Sequence, residues 1–378
     1  MEFVKAIVTG GAAVLFVFSV VVFFHELGHF LVARWCGVRI LVFSIGFGPE
    51  LFGFKDRHGT RWKVSAVPLG GYVKFLGDEN AASVPDQGAV ASMTEAERRE
   101  SFIAQKVGAR SAIVAAGPLA NFLLAIVIFA SLFALYGKPS TVARVDSVQP
   151  GSAAEAAGFQ RGDIVLSING RHIDSFSEMQ RIVSRSAGET LIIVVKRGVA
   201  ETTLTAVPTL QEVKDPFGNI QRRGMLGIGR SLDPNEQQYE PVSPLQAVVL
   251  GVTATWTVLE DTLTYVGRIF VGREKADQVG GPIKIAEVSY QVFALGGMAD
   301  LLRLTAILSI SIGLLNLFPV PLLDGGHLLF YAIEKIRGRP LSERAQEVGF
   351  RIGLALVVML LIFATYNDIS GIVRRFVS

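Results

Sequence analysis

The sequence predicts a polytopic α-helical membrane protein with four transmembrane helices, a β-hairpin sheet on the cytoplasmic side and an α+β domain outside the cytoplasm. Three observations carry that expectation. Half of the 378 residues are hydrophobic and only 18% are charged, with a mean hydropathy of +0.44, too apolar for an ordinary soluble domain. Four stretches are long and apolar enough to cross a bilayer: Ile7 to Val32, Ala112 to Tyr136, Leu301 to Leu323, and Ile352 to Tyr366, the last extended at both ends. Basic residues gather in two of the joining loops, eleven Lys and Arg from Arg34 to Arg110, and Lys335, Arg337, Arg339, Arg344 and Arg351 before the last span. Positive residues stay in the cytoplasm, which places both loops inside and leaves the termini and the segment Gly137 to Asp300 outside. Arg374 and Arg375 count mildly against this and are outnumbered.

The first run has Lys5 ahead of it but is longer than the apolar core of a secretory signal and lacks a small-residue cleavage site, so it reads as a retained helix. After it, LVFSIGFGPELFGF and GTRWKVSAVPLGGYVKFLGD alternate and are broken by Gly and Pro, the pattern of two or three hairpin strands between Leu41 and Leu76. Phe43, Ile45, Phe47, Leu51, Phe52, Phe54, Val64 and Val67 make those strands apolar on more than one face, so they are expected to dip into the bilayer edge. TEAERRESFIAQKVGAR, Thr94 to Arg110, has the composition of a charged interfacial helix. Pro244 to Val271 is helical in pattern but interrupted by Glu260, Asp261 and Arg268, which predicts an amphipathic helix on the membrane surface or against the spans.

Net charge is only +3 and the basic residues form no stripe, so nucleic-acid binding has no support. The single cysteine, Cys36, excludes an intramolecular disulfide and argues against a thiolate metal cluster.

The chemistry lies in VVFFHELGHFLVAR, Val21 to Arg34. One ionisable side chain at bilayer depth costs roughly 2.5–3.5 kcal/mol on insertion scales, so three together need a function. His25 and His29 are four apart and project from one helix face, close enough to bind one zinc. Glu26 lies about 100° around the helix, beside the metal and placed as a general base. A catalytic zinc takes a third protein ligand and keeps one position open for water. His58 sits in the turn DRHGT and His172 in the outer domain; NLFPVPLLDGGH, Asn316 to His327, supplies Asp324 at the end of an apolar run, with His327 as its rival. Pro319 and Pro321 prevent a regular helix there, and irregular backbone at membrane depth must be buried in protein or line a wet cavity. Asn121 and Asn316 are polar residues in spans, able to donate to a substrate carbonyl or to bond between helices.

His25-Glu26-Leu27-Gly28-His29, Gly117-Pro118-Leu119-Ala120-Asn121, and Asn316 through Gly326 together resemble the site-2 protease family, and the likeness extends over essentially the whole chain. Phe43–Pro49 and Gly280-Gly281-Pro282-Ile283 are similar to its bacterial regulator-of-sigma-E branch. Val142 to Pro208 resembles a PDZ domain, carried by Pro150-Gly151-Ser152-Ala153, Ala157-Gly158-Phe159, Gly162-Asp163-Ile164 and Ile168-Asn169-Gly170. One such unit is read where some members hold two. The resemblance implies a zinc intramembrane endopeptidase in the bacterial inner membrane, its active site towards the cytoplasm and its PDZ-like domain periplasmic. Zn2+ would be held by His25, His29 and Asp324, with Glu26 as base acting on zinc-activated water and Asn121 and Asn316 as substrate-binding residues. Implied partners are single-span proteins of the anti-sigma-factor type, trimmed beforehand by a site-1-type protease, leftover signal peptides, and lipid; the competing expectation is a non-catalytic adaptor presenting a PDZ groove. The domain organisation expected is residues 1–34 first span, 35–111 cytoplasmic loop with hairpins, 112–136 second span, 137–208 PDZ-like domain, 209–300 helical linker, 301–323 third span, 324–351 cytoplasmic loop, 352–370 fourth span and 371–378 tail.

Overall fold

A computed structural model describes residues 2–78, 93–139, 142–173, 175–214, 220–230, 239–271 and 280–377. The chain divides into two compact units, Tyr136–Val242 and the rest. The larger unit begins with α1 (Glu2–Trp35), β1 (Ile40–Lys55), β2 (Arg61–Phe75), α2 (Glu95–Glu100) and α3 (Val107–Tyr136). The smaller unit holds β3 (Lys138–Pro139), β4 (Ser147–Val148), α4 (Ala153–Ala156), β5 (Ile164–Ile168), β6 (Arg171–His172), α5 (Phe176–Arg185), β7 (Leu191–Arg197), β8 (Ala200–Ala206), β9 (Thr209–Lys214), β10 (Ile220–Met225), β11 (Ile228–Gly229) and β12 (Tyr239–Glu240). The larger unit then closes with α6 (Pro244–Phe270), α7 (Pro282–Asn316), α8 (Asp324–Arg337) and α9 (Glu343–Val377).

Among the described residues four helical stretches are long and apolar enough to cross a membrane: Gly10–Trp35, Val107–Tyr136, Pro282–Asn316 and Arg344–Ser370. The third differs from expectation at both ends. It starts at Pro282, with a break at Gly297 (φ 64°), and stops at Asn316 rather than Leu323. Lys284, Glu287, Asp300 and Arg303 dilute the apolar signal over its first half, while Pro319 and Pro321 forbid helix beyond its end.

No side chain of Gly281 can cap α7, and the cap comes from another helix. Asp368 of α9 accepts from the backbone N–H groups of Gly281 (2.8 Å), Ile283 (3.0 Å) and Lys284 (3.1 Å). A Cβ at Gly281 would lie 2.7 Å from Asp368 Oδ2, which explains the Gly-Gly-Pro start. The carboxylate is 6% exposed, so its removal orphans buried donors at a positive helix end. Asp368→Ala is therefore expected to lower stability by about 2–3 kcal/mol. Thermal unfolding in mild detergent checks this, with Asp368→Asn falling between the two because it keeps one accepting oxygen.

β1 and β2 form a bent sheet rather than a plain hairpin. The segment Ile40 to Ile45 pairs with Phe75 to Gly71 on one side and with Arg61 to Val64 on the other, and the latter pairs outward with Phe52 to Lys55. The register jumps that permit this follow the glycines and proline of IGFGPELFG and VPLGG, which local periodicity cannot place. The sheet's inner face joins α1 and α3 through Phe30, Phe43, Val73, Phe75, Phe102 and Ile113, with Trp62 stacked on Phe43 at 4.3 Å. Its far segment leaves Phe47, Leu51, Phe52 and Phe54 exposed.

α6 opens on a capping box, Ser243 with Gln246, and Pro244 at its first turn. It packs against α3, where a Cβ at Gly251 would lie 2.8 Å from the carbonyl oxygen of Ile126. Ala254, Val258 and Leu259 join the core formed by Leu124, Ile128 and Phe129 of α3 and Ala306 and Ile310 of α7.

The smaller unit has a four-stranded antiparallel sheet, β6-β5-β7-β8, over a core of Val145, Phe159, Val165, Ile193, Val195, and Met179 and Val183 from α5. Residues 209–240, read from the sequence as helical linker, hold strands instead: β9 pairs β10, β11 returns to β4 and β12 to β3. QEVK and RRGMLGIG alternate only briefly between turn residues, too short a signal to overrule the neighbouring helix pattern. Burial pushes the Asp163 carboxyl up, but hydrogen bonds from Arg197 and the Gln160 N–H outweigh it and hold the group below its ordinary value.

Candidate metal centre

Three side chains from two distant parts of the sequence converge. Nε2 of His25 is 3.3 Å from Nε2 of His29 and 3.2 Å from Oδ2 of Asp324, and Nε2 of His29 is 3.6 Å from Oδ1 of Asp324. Among the described residues they are the one group of three or more His, Cys, Asp or Glu able to hold an ion. His327, the rival ligand, lies outside that group; its ring packs against Tyr331 (6.4 Å) and Phe350 (5.5 Å).

α1 presents His25 and His29 as successive turns of one face. α3 crosses it antiparallel and meets that face with its own stripe of Ile113, Gly117 and Asn121, spaced four apart. The Ile113 carbonyl oxygen faces Nδ1 of His29 at 2.8 Å, and the Asn121 amide faces Nδ1 of His25 at 3.2 Å. Gly117 between them leaves the space into which both Nε2 atoms point: a Cβ there would press on Nε2 of His29 and lie 2.9 Å from Nε2 of His25. Gly28 keeps the crossing close, since a Cβ there would collide with the Ala116 carbonyl.

Asp324 is carried by the turn Leu317 to Leu323 and sits at the first position of α8, where the helix dipole favours a carboxylate. The turn is tight. Leu322 has φ 94°, rare for a side chain of that size and a reservoir of roughly 1–3 kcal/mol of strain. Cβ atoms at Gly325 and Gly326 would run into the carbonyls of Leu317 and Val320, so only glycine lets the chain fold back on itself there. Behind the turn, Gly353 of α9 lies directly against the Pro321 carbonyl.

These residues fit zinc. With bonds of ~2.0–2.1 Å, a tetrahedral site has ligand-to-ligand edges near ~3.3 Å, matching the 3.2–3.6 Å spacing. Oδ2 of Asp324 is buried without a hydrogen-bond donor although Nε2 of His25 is 3.2 Å away, so the pair points at a common centre rather than at each other. Two imidazoles and a carboxylate are the donor set of a catalytic zinc with one open position.

The donors line a cavity of about 490 Å³ shared by Glu26, Asn316, His327, Tyr72, Tyr331 and the backbone of Gly70 and Gly71. Glu26 therefore reaches the same space as the ligands, and Asn316 borders it. Asn121 does not: it is fully buried behind His25. A Cβ at Gly71 would lie 3.0 Å from Cγ of Glu26, so the strand Gly71 to Phe75 runs immediately beside that carboxylate. Sequence reasoning missed Ile113 and named Gly117 only as part of a motif, without its role. Ile113 contributes a backbone carbonyl, which leaves no residue-type signal, and the signal for Gly117 is its place four residues before Asn121 in an otherwise apolar helix.

Comparison with known proteins agrees with this chemistry. The sequence profile described as Peptidase family M50 matches residues 13–360. A Rhizobium meliloti (strain 1021) protein named as a zinc metalloprotease is 51% identical over 356 residues, covering 94% of this chain and 95% of the relative. Metalloprotease MmpA of Caulobacter vibrioides is 40% identical over 379 residues, covering 95% and 94%. The solved PDZ domain of an SdrC-like protein from Listeria monocytogenes, 24% identical, covers 24% of this chain and 85% of its own, with a TM-score of 0.19. The chain thus belongs to Peptidase family M50, the site-2 proteases, and is a membrane zinc metalloprotease.

Proposed function

We propose that the protein is an intramembrane endopeptidase that cuts the membrane-spanning segments of single-span proteins, with Glu26 as its base. The observation that carries the reading is a complete donor set, His25, His29 and Asp324, inside a cavity framed by helices apolar enough to span. Zinc held there supplies a Lewis acid that polarises the scissile carbonyl and makes its water nucleophilic near neutral pH. Glu26 takes the proton from the attacking water and passes it to the leaving amine. Asn316 donates from its amide to the substrate carbonyl oxygen. Orientation follows from the basic loops, which favour an inner-membrane protein with the site towards the cytoplasm. Residues 137–208 then lie outside as a PDZ-like filter admitting single-span proteins already trimmed by a site-1-type protease, such as anti-sigma factors, and also leftover signal peptides.

A helical substrate hides its carbonyls in its own hydrogen bonds and must be extended locally before attack. Among the described residues β2 pairs with no strand other than β1, and its segment Gly71 to Val73 lines the cavity, so that stretch can take an extended peptide by strand addition. Substrates with helix breakers near the cut site should thus be preferred. Replacing those breakers with Leu is expected to slow cleavage in detergent at least tenfold, an activation difference of about 1.4 kcal/mol. Equal rates for both substrates would remove the clamp from the mechanism.

A further inference from the structure

The Asn121 Nδ2 lies 3.2 Å from His25 Nδ1, while its Oδ1 is buried with no hydrogen-bond partner. The oxygen and nitrogen of a carboxamide have nearly the same shape, and only the hydrogen-bond network assigns them. His25 directs Nε2 at Asp324 and His29. An imidazole that gives its Nε2 lone pair to a cation carries its proton on Nδ1, which must then donate. With Nδ2 on that side two donors would face each other; with the amide reversed, Oδ1 accepts from Nδ1–H.

We propose that Asn121 is a positioning residue for His25: its side-chain oxygen accepts the Nδ1 proton, fixing the tautomer and ring plane that present Nε2 to the cation. This rests on the zinc reading. It gives His25 the partner that the Ile113 carbonyl gives His29, so both imidazoles are oriented by α3. The acceptor is itself held in place. Ser309 of α7 donates to the Asn121 backbone carbonyl at 2.9 Å, and Gly313 keeps α7 close, since a Cβ there would lie 3.1 Å from the Asn121 Cβ. With no exposed surface and no place in the cavity wall, the side chain acts on His25 rather than on substrate.

The roles of acceptor and donor are separable by substitution. Aspartate keeps an accepting oxygen at the same position and has no amide to give, whereas leucine keeps the volume and has neither. Zinc affinity of the purified full chain, read by chelator competition, is expected to fall about 10–100-fold in Asn121→Leu and to recover to within a few-fold of wild type in Asn121→Asp. At saturating zinc, KM of the leucine variant should stay at the wild-type value. Wild-type zinc affinity in Asn121→Leu, or equal weakness in both variants, would overturn the assignment. A wild-type chain that takes up no zinc would instead bring down the metal reading beneath it, so the two failures are told apart.

Discussion

Glu26→Gln is expected to abolish cleavage of a single-span substrate while the purified protein keeps its zinc. His25, His29 and Asp324 are untouched by the substitution, and their 3.2–3.6 Å convergence does not involve residue 26. Glutamine has nearly the shape of glutamate, so the wall beside Gly71 and Val22 is preserved. What it cannot do is accept a proton. General acid–base catalysis contributes about 10²–10⁴-fold, and the loss here should reach the upper end if Glu26 serves both proton transfers as proposed. Metal analysis alongside a cleavage assay reads the two quantities separately. Retained activity would mean that another group in the cavity is the base, with His327 the foremost alternative since it borders the same space. Loss of zinc together with activity would mean that Glu26 helps assemble the site.

The parts of this site that sequence made legible are those governed by local period or by scarcity. A four-residue interval on a helix puts His25 and His29 on one face whatever surrounds them, and an apolar setting makes each charged residue conspicuous. Asp324 was reachable by scarcity, since few carboxylates accompany a proline-broken segment beside a span. What stayed hidden depends on where one helix crosses another. Ile113 contributes only a backbone carbonyl, Gly117 only an absence of atoms, and neither has a residue-type signature. Asn121 was visible as a polar residue in a span, but whether it faces the cavity or the back of His25 is a matter of helix rotation. Asp368 carries no local signal of its own, and it becomes intelligible only when Gly281, 87 positions earlier in the chain, is found against it. Strands β11 and β12 were obscured for the same reason, since their partners β4 and β3 lie far back in the chain, whereas β9 and β10 are neighbours whose alternation is too brief to read.

Gly117→Ala tests that crossing most sharply, because it should cost the metal far more than the fold. Alanine in place of glycine inside a helix favours the helical state by roughly 0.5–1 kcal/mol, so α3 itself should tolerate or welcome the change. The new methyl group, however, occupies the volume between the two imidazoles, against Nε2 of His29 and 2.9 Å from Nε2 of His25, where carbon and nitrogen are in steric conflict. Backbone cannot yield, since Gly28 already brings α1 against the Ala116 carbonyl. The rings must turn instead. Turning His29 breaks its 2.8 Å contact with the Ile113 carbonyl, and turning His25 breaks its contact with Asn121, so each escape costs an orienting hydrogen bond as well as a ligand direction. Zinc affinity is expected to fall about 100-fold or more, with cleavage lost, while the zinc-free protein loses no more than about 1–2 kcal/mol, because the helix gain offsets part of the lost hydrogen bonding. Chelator competition and unfolding of the metal-free form measure the two arms. A variant that binds zinc as the wild type does would mean that the cation is not held in the space Gly117 leaves open, and the three-donor site would have to be rebuilt around a different centre.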